Sequence, residues 1–244
     1  MMRLFSSLLL FFIVPLALSG QSTAYVFKGG LSAATQKWDN SIDRQLLFTY
    51  HGALAVETVN NEDDNSSLYA QIGYHVRGSA TRFRTISLGN PQGLGNQFTQ
   101  KFEFRNVALQ VGAKQKKDLG LNSKYYYFGG LRGEYHLESN LAELNTGSFC
   151  NPGALPLAGG ERKFLFGFSV GGGLQLNLSE LVGAQIELSV HPDVTPQYWQ
   201  GPIPNVIDQC NPGRTFSIPE RRIRNTTLEL SVGLRLLRKV VYVD

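Results

Sequence analysis

The 244-residue sequence predicts an all-β fold, an eight-stranded antiparallel up-and-down transmembrane β-barrel. Three observations carry that prediction. Eight stretches alternate apolar and polar residues with period two, the charged residues of the last fall on its polar face, and the connections between them alternate long and short. The last stretch alternates without a lapse. Leu228, Leu230, Val232, Leu234 and Leu236 share one face, and Glu229, Ser231, Gly233 and Arg235 share the other, because successive side chains of a strand point to opposite sides. Turning the leucines inward would put Arg235 into lipid, at a cost of roughly 2–4 kcal/mol near the bilayer midplane. The apolar face therefore meets lipid and the polar face lines the lumen.

Residues 1–20 read as a secretory signal peptide. Arg3 precedes the apolar run Leu4 to Leu18, which ends in the small residues Ser19 and Gly20. At about 15 residues the run is short for a spanning helix, which needs about 20. Residues 21–244 read as one barrel domain, since about 220 residues is an ordinary size for a closed sheet and no Pro/Ser-rich linker divides them. Near-neutral overall hydropathy excludes a helical membrane protein and suits a barrel, whose two faces average out. A formal net charge of +4, dispersed along the chain, gives no footprint for nucleic acid.

The first strand spans about Tyr25 to Thr35, with Tyr25, Phe27, Gly29, Leu31 and Ala33 outward and Val26, Lys28, Gly30 and Ser32 inward; Trp38, Asp39 and Asn40 then form a loop. The second, about Leu46 to Val59, puts Phe48, Tyr50, Leu54 and Val56 outward and His51 and Glu57 inward. Asn60 to Ser66 is a tight polar turn. The third, Ser67 to Ser79, sets Leu68, Ala70, Ile72 and Tyr74 against Tyr69, Gln71, His75 and Arg77. The fourth, Lys101 to Lys114, carries Phe102 and Phe104 out of phase with Val107, Leu109 and Val111, which a β-bulge near Arg105 would reconcile. A turn at Lys116 to Asn122 leads to the fifth, Tyr125 to Leu137, with Arg132, Glu134 and His136 inward. The sixth, Arg162 to Leu178, sets Phe164, Phe166 and Phe168 against Gly167 and Ser169. The seventh, Leu181 to His191, sets Ile186, Leu188 and Val190 against Gln185, Glu187 and Ser189, and a Pro-rich insertion precedes the eighth.

Insertions follow strands one, three, five and seven, and tight turns follow two, four and six. Outer-membrane barrels have short periplasmic turns and longer external loops, so the insertions, with Tyr198 and Trp199, belong outside the cell. Rim aromatics agree: Tyr25, Tyr127 and Tyr242 near one interface, and Tyr50, Tyr74, Tyr135 and Phe164 near the other. The two cysteines, Cys150 and Cys210, each begin a Cys-Asn-Pro-Gly tetrapeptide in an external insertion, and are read as one disulfide formed in an oxidising compartment. Closing a loop of about 60 residues stabilises by roughly 4 kcal/mol in the chain-entropy model.

On the inward phase, Lys28, Arg77, Arg132 and Arg235 can pair with Glu57, Glu134, Glu187 and Glu229 in a lumen charge network. The histidines His51, His75, His136 and His191 share that phase. They could gather toward a metal site, but polar filling of a narrow lumen is the stronger reading, and no metal or other cofactor is assigned. External arginines, Arg82, Arg84, Arg162, Arg214, Arg221, Arg222 and Arg224, could pair with lipopolysaccharide phosphates or stay solvated. His191-Pro192-Asp193 beside Ser189 could belong to a hydrolytic rim site, though no partner carboxylate or oxyanion donor can be assigned from sequence. Gly171-Gly172-Gly173 lies mid-strand and reads as close packing.

The opening Phe27-Lys28-Gly29-Gly30-Leu31 strand, the run Gly73-Tyr74-His75-Val76-Arg77-Gly78 and the alternating C-terminal strand resemble those of small bacterial outer-membrane barrels of the PorT type and the OmpA-like eight-stranded barrels. The resemblance spans nearly the whole mature chain and implies an outer-membrane barrel without naming its task; the first expectation for that task is a non-enzymatic barrel of the Gram-negative cell envelope. Its external loops would contact an envelope protein, a secretion-system subunit or lipopolysaccharide. A rim hydrolase acting on lipid A or peptide, and a narrow pore, are the alternatives.

Overall fold

A computed structural model describes residues 22–39, 44–59, 64–84, 97–144, 156–208, 211 and 213–239. The expected signal peptide, Tyr242 and both cysteines lie outside the described residues. Eight long strands form a ring: β1 (Ser22–Lys37), β2 (Leu47–Val59), β3 (Ser66–Arg84), β4 (Gln97–Gly120), β5 (Ser123–Ser139), β6 (Phe164–Asn177), β7 (Val182–Pro192) and β11 (Arg221–Arg238). Each pairs antiparallel with the next, and β11 closes on β1 from Thr23↔Arg238 to Lys37↔Arg224. Closure gives every strand of the ring a neighbour on both sides, the condition for a β structure to cross hydrocarbon. No helix among the described residues is long and apolar enough to cross a membrane.

The predicted facing holds around the ring. Exposed outward residues include Phe27, Leu31, Phe48, Leu54, Ile72, Leu131, Phe166, Phe168, Ile186, Leu188 and the β11 leucines, while Glu57, Arg77, Arg132, Glu187, Glu229 and Arg235 are buried within. The apolar run Leu228 to Leu236 matches the about 9–11 residues that a tilted strand needs to span the hydrocarbon. The filled interior and lipid-compatible belt make the chain a transmembrane β-barrel of the outer-membrane type.

Two expectations for β4 are corrected. Phe102 and Phe104 point inward, each 0 % exposed, in unbroken phase with Asn106, Ala108 and Gln110. The irregularity occurs at the expected height but on the neighbouring strand: Arg105 pairs with Glu138 and Asn106 with His136, so Leu137 of β5 is the extra residue. The physical reason is a change of solvent. Arg105 and Glu138 form an exposed outward ion pair at this level, so the wall has left the lipid and the interior is the apolar side. In addition, β4 continues to Gly120, through the stretch expected to turn from Lys116, because Lys114 and Lys116 keep the inward phase and find carboxylates there.

The insertion between β7 and β11 is structured. Within it β8 (Tyr198–Gln200) pairs with the first residues of β11, and β9 (Ile203–Ile207) and β10 (Thr215–Ile218) make a hairpin. A single helical turn, α1 (Leu141–Leu144), follows β5. Trp38, Phe102, Phe104, Leu141, Tyr198 and Ile223 cluster inside the long-loop end, with Leu144 packed against them. Trp38, expected in a loop, thus belongs to an apolar cap. Gly78 admits that cap: its φ is 150°, and a Cβ there would lie 1.7 Å from the carbonyl oxygen of Phe102. Gly78→Ala should therefore push β3 from β4 at the level of Phe102. A lowered urea midpoint with faster proteolysis at this end is the expected result.

Candidate functional site

The strand period fixes which side chains enter the lumen, and the register fixes their heights. At the short-turn end Glu57 takes a hydrogen bond from Lys114 and lies 3.6 Å from Lys116 Nζ and 3.9 Å from Arg235 Nε. Asp64, at the start of the β3 hairpin, lies 2.9 Å from Lys116 Nζ and 3.5 Å from Arg235 Nη2. One level up, Lys28 Nζ donates to both oxygens of Glu187 at 2.8 and 3.0 Å, and Tyr126 Oη donates to Glu187 Oε2 at 3.0 Å. Tyr69 packs edge-on against Phe128 beside them and accepts from Gln110 Nε2 at 2.5 Å.

Three of the four predicted histidines converge on Glu229 above this level. His75 Nδ1 lies 2.8 Å from Glu229 Oε1, and His191 Nε2 lies 3.1 Å from Oε2. His51 stacks on His75 at 5.6 Å between centroids and sits between Ser32 Oγ and Ser231 Oγ at 2.9 and 2.8 Å. His136 stands apart, 3.0 Å from Asn106 Oδ1. Among the described residues no group of three or more His, Cys, Asp or Glu side chains is arranged to hold a metal ion.

The highest charged level centres on Arg77, which is 0 % exposed. Its guanidinium lies 2.9 Å from Glu134, 3.5 Å from Asp193 and 4.0 Å from Glu229. Arg132 pairs with Glu134 at 2.6 Å and also with Asp193. Asn225 Nδ2 donates to Asp193 Oδ2 at 3.0 Å, and Asn106 Nδ2 donates to Glu134 Oε2 at 2.9 Å, so both carboxylates have neutral donors as well. The apolar cap closes the column, with the Arg44 guanidinium 3.2 Å from the centroid of Trp38.

All eight residues of the expected charge network thus line the lumen, and the structure adds four more: Asp64, Lys114, Lys116 and Asp193. Three of these carried a sequence signal. Lys114 and Lys116 continue the inward phase of Gln110, and Asp193 continues that of His191. Asp64 follows no strand phase. Arg221, expected among the external phosphate-binding arginines, is corrected: it shares the odd, inward phase of β11 with Ile223, is buried, and lies 5.7 Å from the Trp38 ring centroid. Arg82, Arg162, Arg214, Arg222 and Arg224 are exposed. The wall outside the rim also holds Trp199, whose Nε1 donates to Glu220 at 2.7 Å, and Arg222, whose Nε donates to the same oxygen at 2.8 Å. These two hydrogen bonds hold the Glu220 carboxyl below its ordinary range.

Near the rim, His191 lies between Ser169 Oγ at 2.8 Å from Nδ1 and Glu229 at Nε2, with Ser189 Oγ 2.9 Å from Nε2. A carboxylate partner, not assignable from sequence, therefore exists. Ser169 is 0 % exposed, however, and lies below the cap rather than at an open rim.

No protein-family model matches the chain, and no curated protein is similar enough to count as a relative. Among solved structures, Neisserial surface protein A aligns over 87 % of this chain and 97 % of its own at 12 % identity and a TM-score of 0.42. Outer membrane protein OprG from Pseudomonas aeruginosa aligns over 88 % and 97 % at 10 % identity and a TM-score of 0.46. The outer membrane protease OmpT from Escherichia coli aligns over 90 % and 97 % at 9 % identity and a TM-score of 0.43.

Proposed function

We propose that this chain is a non-catalytic outer-membrane barrel whose filled lumen is a rigid scaffold for external segments that contact an envelope protein, a secretion-system subunit or lipopolysaccharide. The observation that carries the reading is the lumen itself. Paired charges run from Glu57 to Asp193 and six buried apolar residues cap them, so among the described residues side chains fill the lumen where a pore would need an aqueous path. Chemistry at His191 would need a substrate below that cap. The sequence resemblance to the PorT-type and OmpA-like barrels points the same way, and the proposal includes export directed by residues 1–20 and a Cys150–Cys210 disulfide tying the outer segments together.

Planar-bilayer recording tests the scaffold reading, and the expected result is no discrete conductance from protein whose gel migration shifts on boiling. Discrete openings from such protein would replace the scaffold with a narrow pore. A further migration shift with reductant is expected from the disulfide.

A further inference from the structure

The outward ladder along the β1–β11 seam has the order of a phosphorylated lipid. From the short-turn end it reads Tyr25/Leu236, Phe27/Leu234, Gly29/Val232, Leu31/Leu230, Ala33/Leu228, Thr35/Thr226 and Lys37/Arg224, each pair directly opposite across the strands. Five apolar rungs are followed by a pair of hydroxyls and then by a pair of cations. Lys37 and Arg224 are both exposed on the same face, and among the described residues neither has a carboxylate within ion-pair distance.

Directly opposed like charges repel, with Cβ atoms about 4.5–5.5 Å apart. The same barrel shows the neutral solution elsewhere at its outer rim. Arg105 stands directly opposite Glu138 and pairs with it, and Arg222 is met by Glu220 at 2.7 Å. At Lys37 and Arg224 no complementary charge stands among the described residues, and an anion lying between the two heads would supply it. Arg donates two parallel hydrogen bonds to phosphate oxygens and Lys binds the phosphate as a point charge, so the pair suits a phosphate better than a single cation would. The threonine hydroxyls lie one rung toward the membrane, where a headgroup sugar would sit. The apolar rungs below provide a track for acyl chains. Trp199, opposite Arg222 on the adjoining strand, is half-exposed and placed as an interfacial aromatic anchor.

We propose that Lys37 and Arg224, with Thr35 and Thr226 beneath them, bind a phosphate of the outer-leaflet glycolipid, lipopolysaccharide. The site rests on the outer-membrane reading above, in which the long-loop end faces outward, and it narrows the partner from any external contact to one phosphate-bearing lipid.

The test uses the full barrel in nanodiscs, with native mass spectrometry counting retained lipid A that carries both phosphates. The wild-type protein should retain it, and the double variant Lys37→Gln/Arg224→Gln should bind roughly tenfold or more weakly, as expected for the loss of charge-assisted hydrogen bonds. Arg105→Gln, at a rim cation already paired, should bind as wild type does. Lys37→Glu separates binding from folding: it places opposite charges across the seam, so heat-modifiable migration should persist while lipid A is lost. Lipid A stripped of its phosphates should not be retained. Equal retention by wild type and the double variant overturns the site, as does preferential retention of phosphatidylglycerol. If boiling-dependent migration and absence of conductance persist while lipid A is not retained, the site alone fails; a conducting wild-type barrel is the separate failure of the scaffold reading.

Discussion

Arg77→Met should destabilise the barrel by about 3–5 kcal/mol, the cost of leaving a buried ion pair without one partner. Arg77 is the hub of the uppermost charged level, within 4.0 Å of Glu134, Asp193 and Glu229 together. Without it, these three carboxylates share Arg132 and the histidines in a space that side chains fill. A urea titration in lipid vesicles, read by the fraction of fast-migrating unboiled protein, measures the loss. Arg82→Met, on the same strand but exposed, should change stability by less than about 0.5 kcal/mol. Adding Glu134→Gln to Arg77→Met should restore part of the loss, because one of the stranded carboxylates is then neutral. Equal midpoints for Arg77→Met and wild type would show that the network does not hold the barrel together.

Phe102→Ala should cost about 3–5 kcal/mol through the cavity left beneath Trp38, and the damage should stay at one end. Phe102 meets Trp38 edge-on at 5.1 Å between ring centroids. Arg44 lies on both rings, 3.2 Å from the centroid of Trp38 and 5.2 Å from that of Phe102. Removing the phenyl ring unseats the tryptophan and takes away part of the surface on which the guanidinium rests. Hydrogen exchange resolves the location. Amides of β3 and β4 around Gly78 and Phe102 should exchange faster, while those of the lipid-facing belt around Leu230 and Leu188 keep their protection. Uniform loss of protection across both levels would contradict a separate cap.

The facing of the ring was legible in the sequence because period two is a local property. Where a stretch carries a lumen charge, such as Arg77 or Glu187, that residue assigns the phase, since the wrong phase would put the charge in lipid; β6 carries none from Phe164 to Asn177 and is phased by its phenylalanines against Gly167 and Ser169. The inward position of Lys114, Lys116 and Arg221 could be read by the same rule carried past the apparent strand ends. Phe102 and Phe104 misled it because the rule depends on the outer solvent. Beyond the bilayer an apolar residue gains by turning inward, and the sequence does not mark where the lipid stops.

Within the bilayer span, alternation alone assigned each side chain to the lumen or the belt. Which lumen residues meet was decided by the tertiary structure. His75 and Glu229 lie 154 residues apart, Lys28 and Glu187 lie 159 apart, and each pair is brought to one height by the stagger of strands around the closed ring. The Lys37/Arg224 rung likewise exists only because the last strand returns to the first. Alternation fixes a direction for each side chain, but contact across a barrel depends on height, and height is set by the register of all eight strands together.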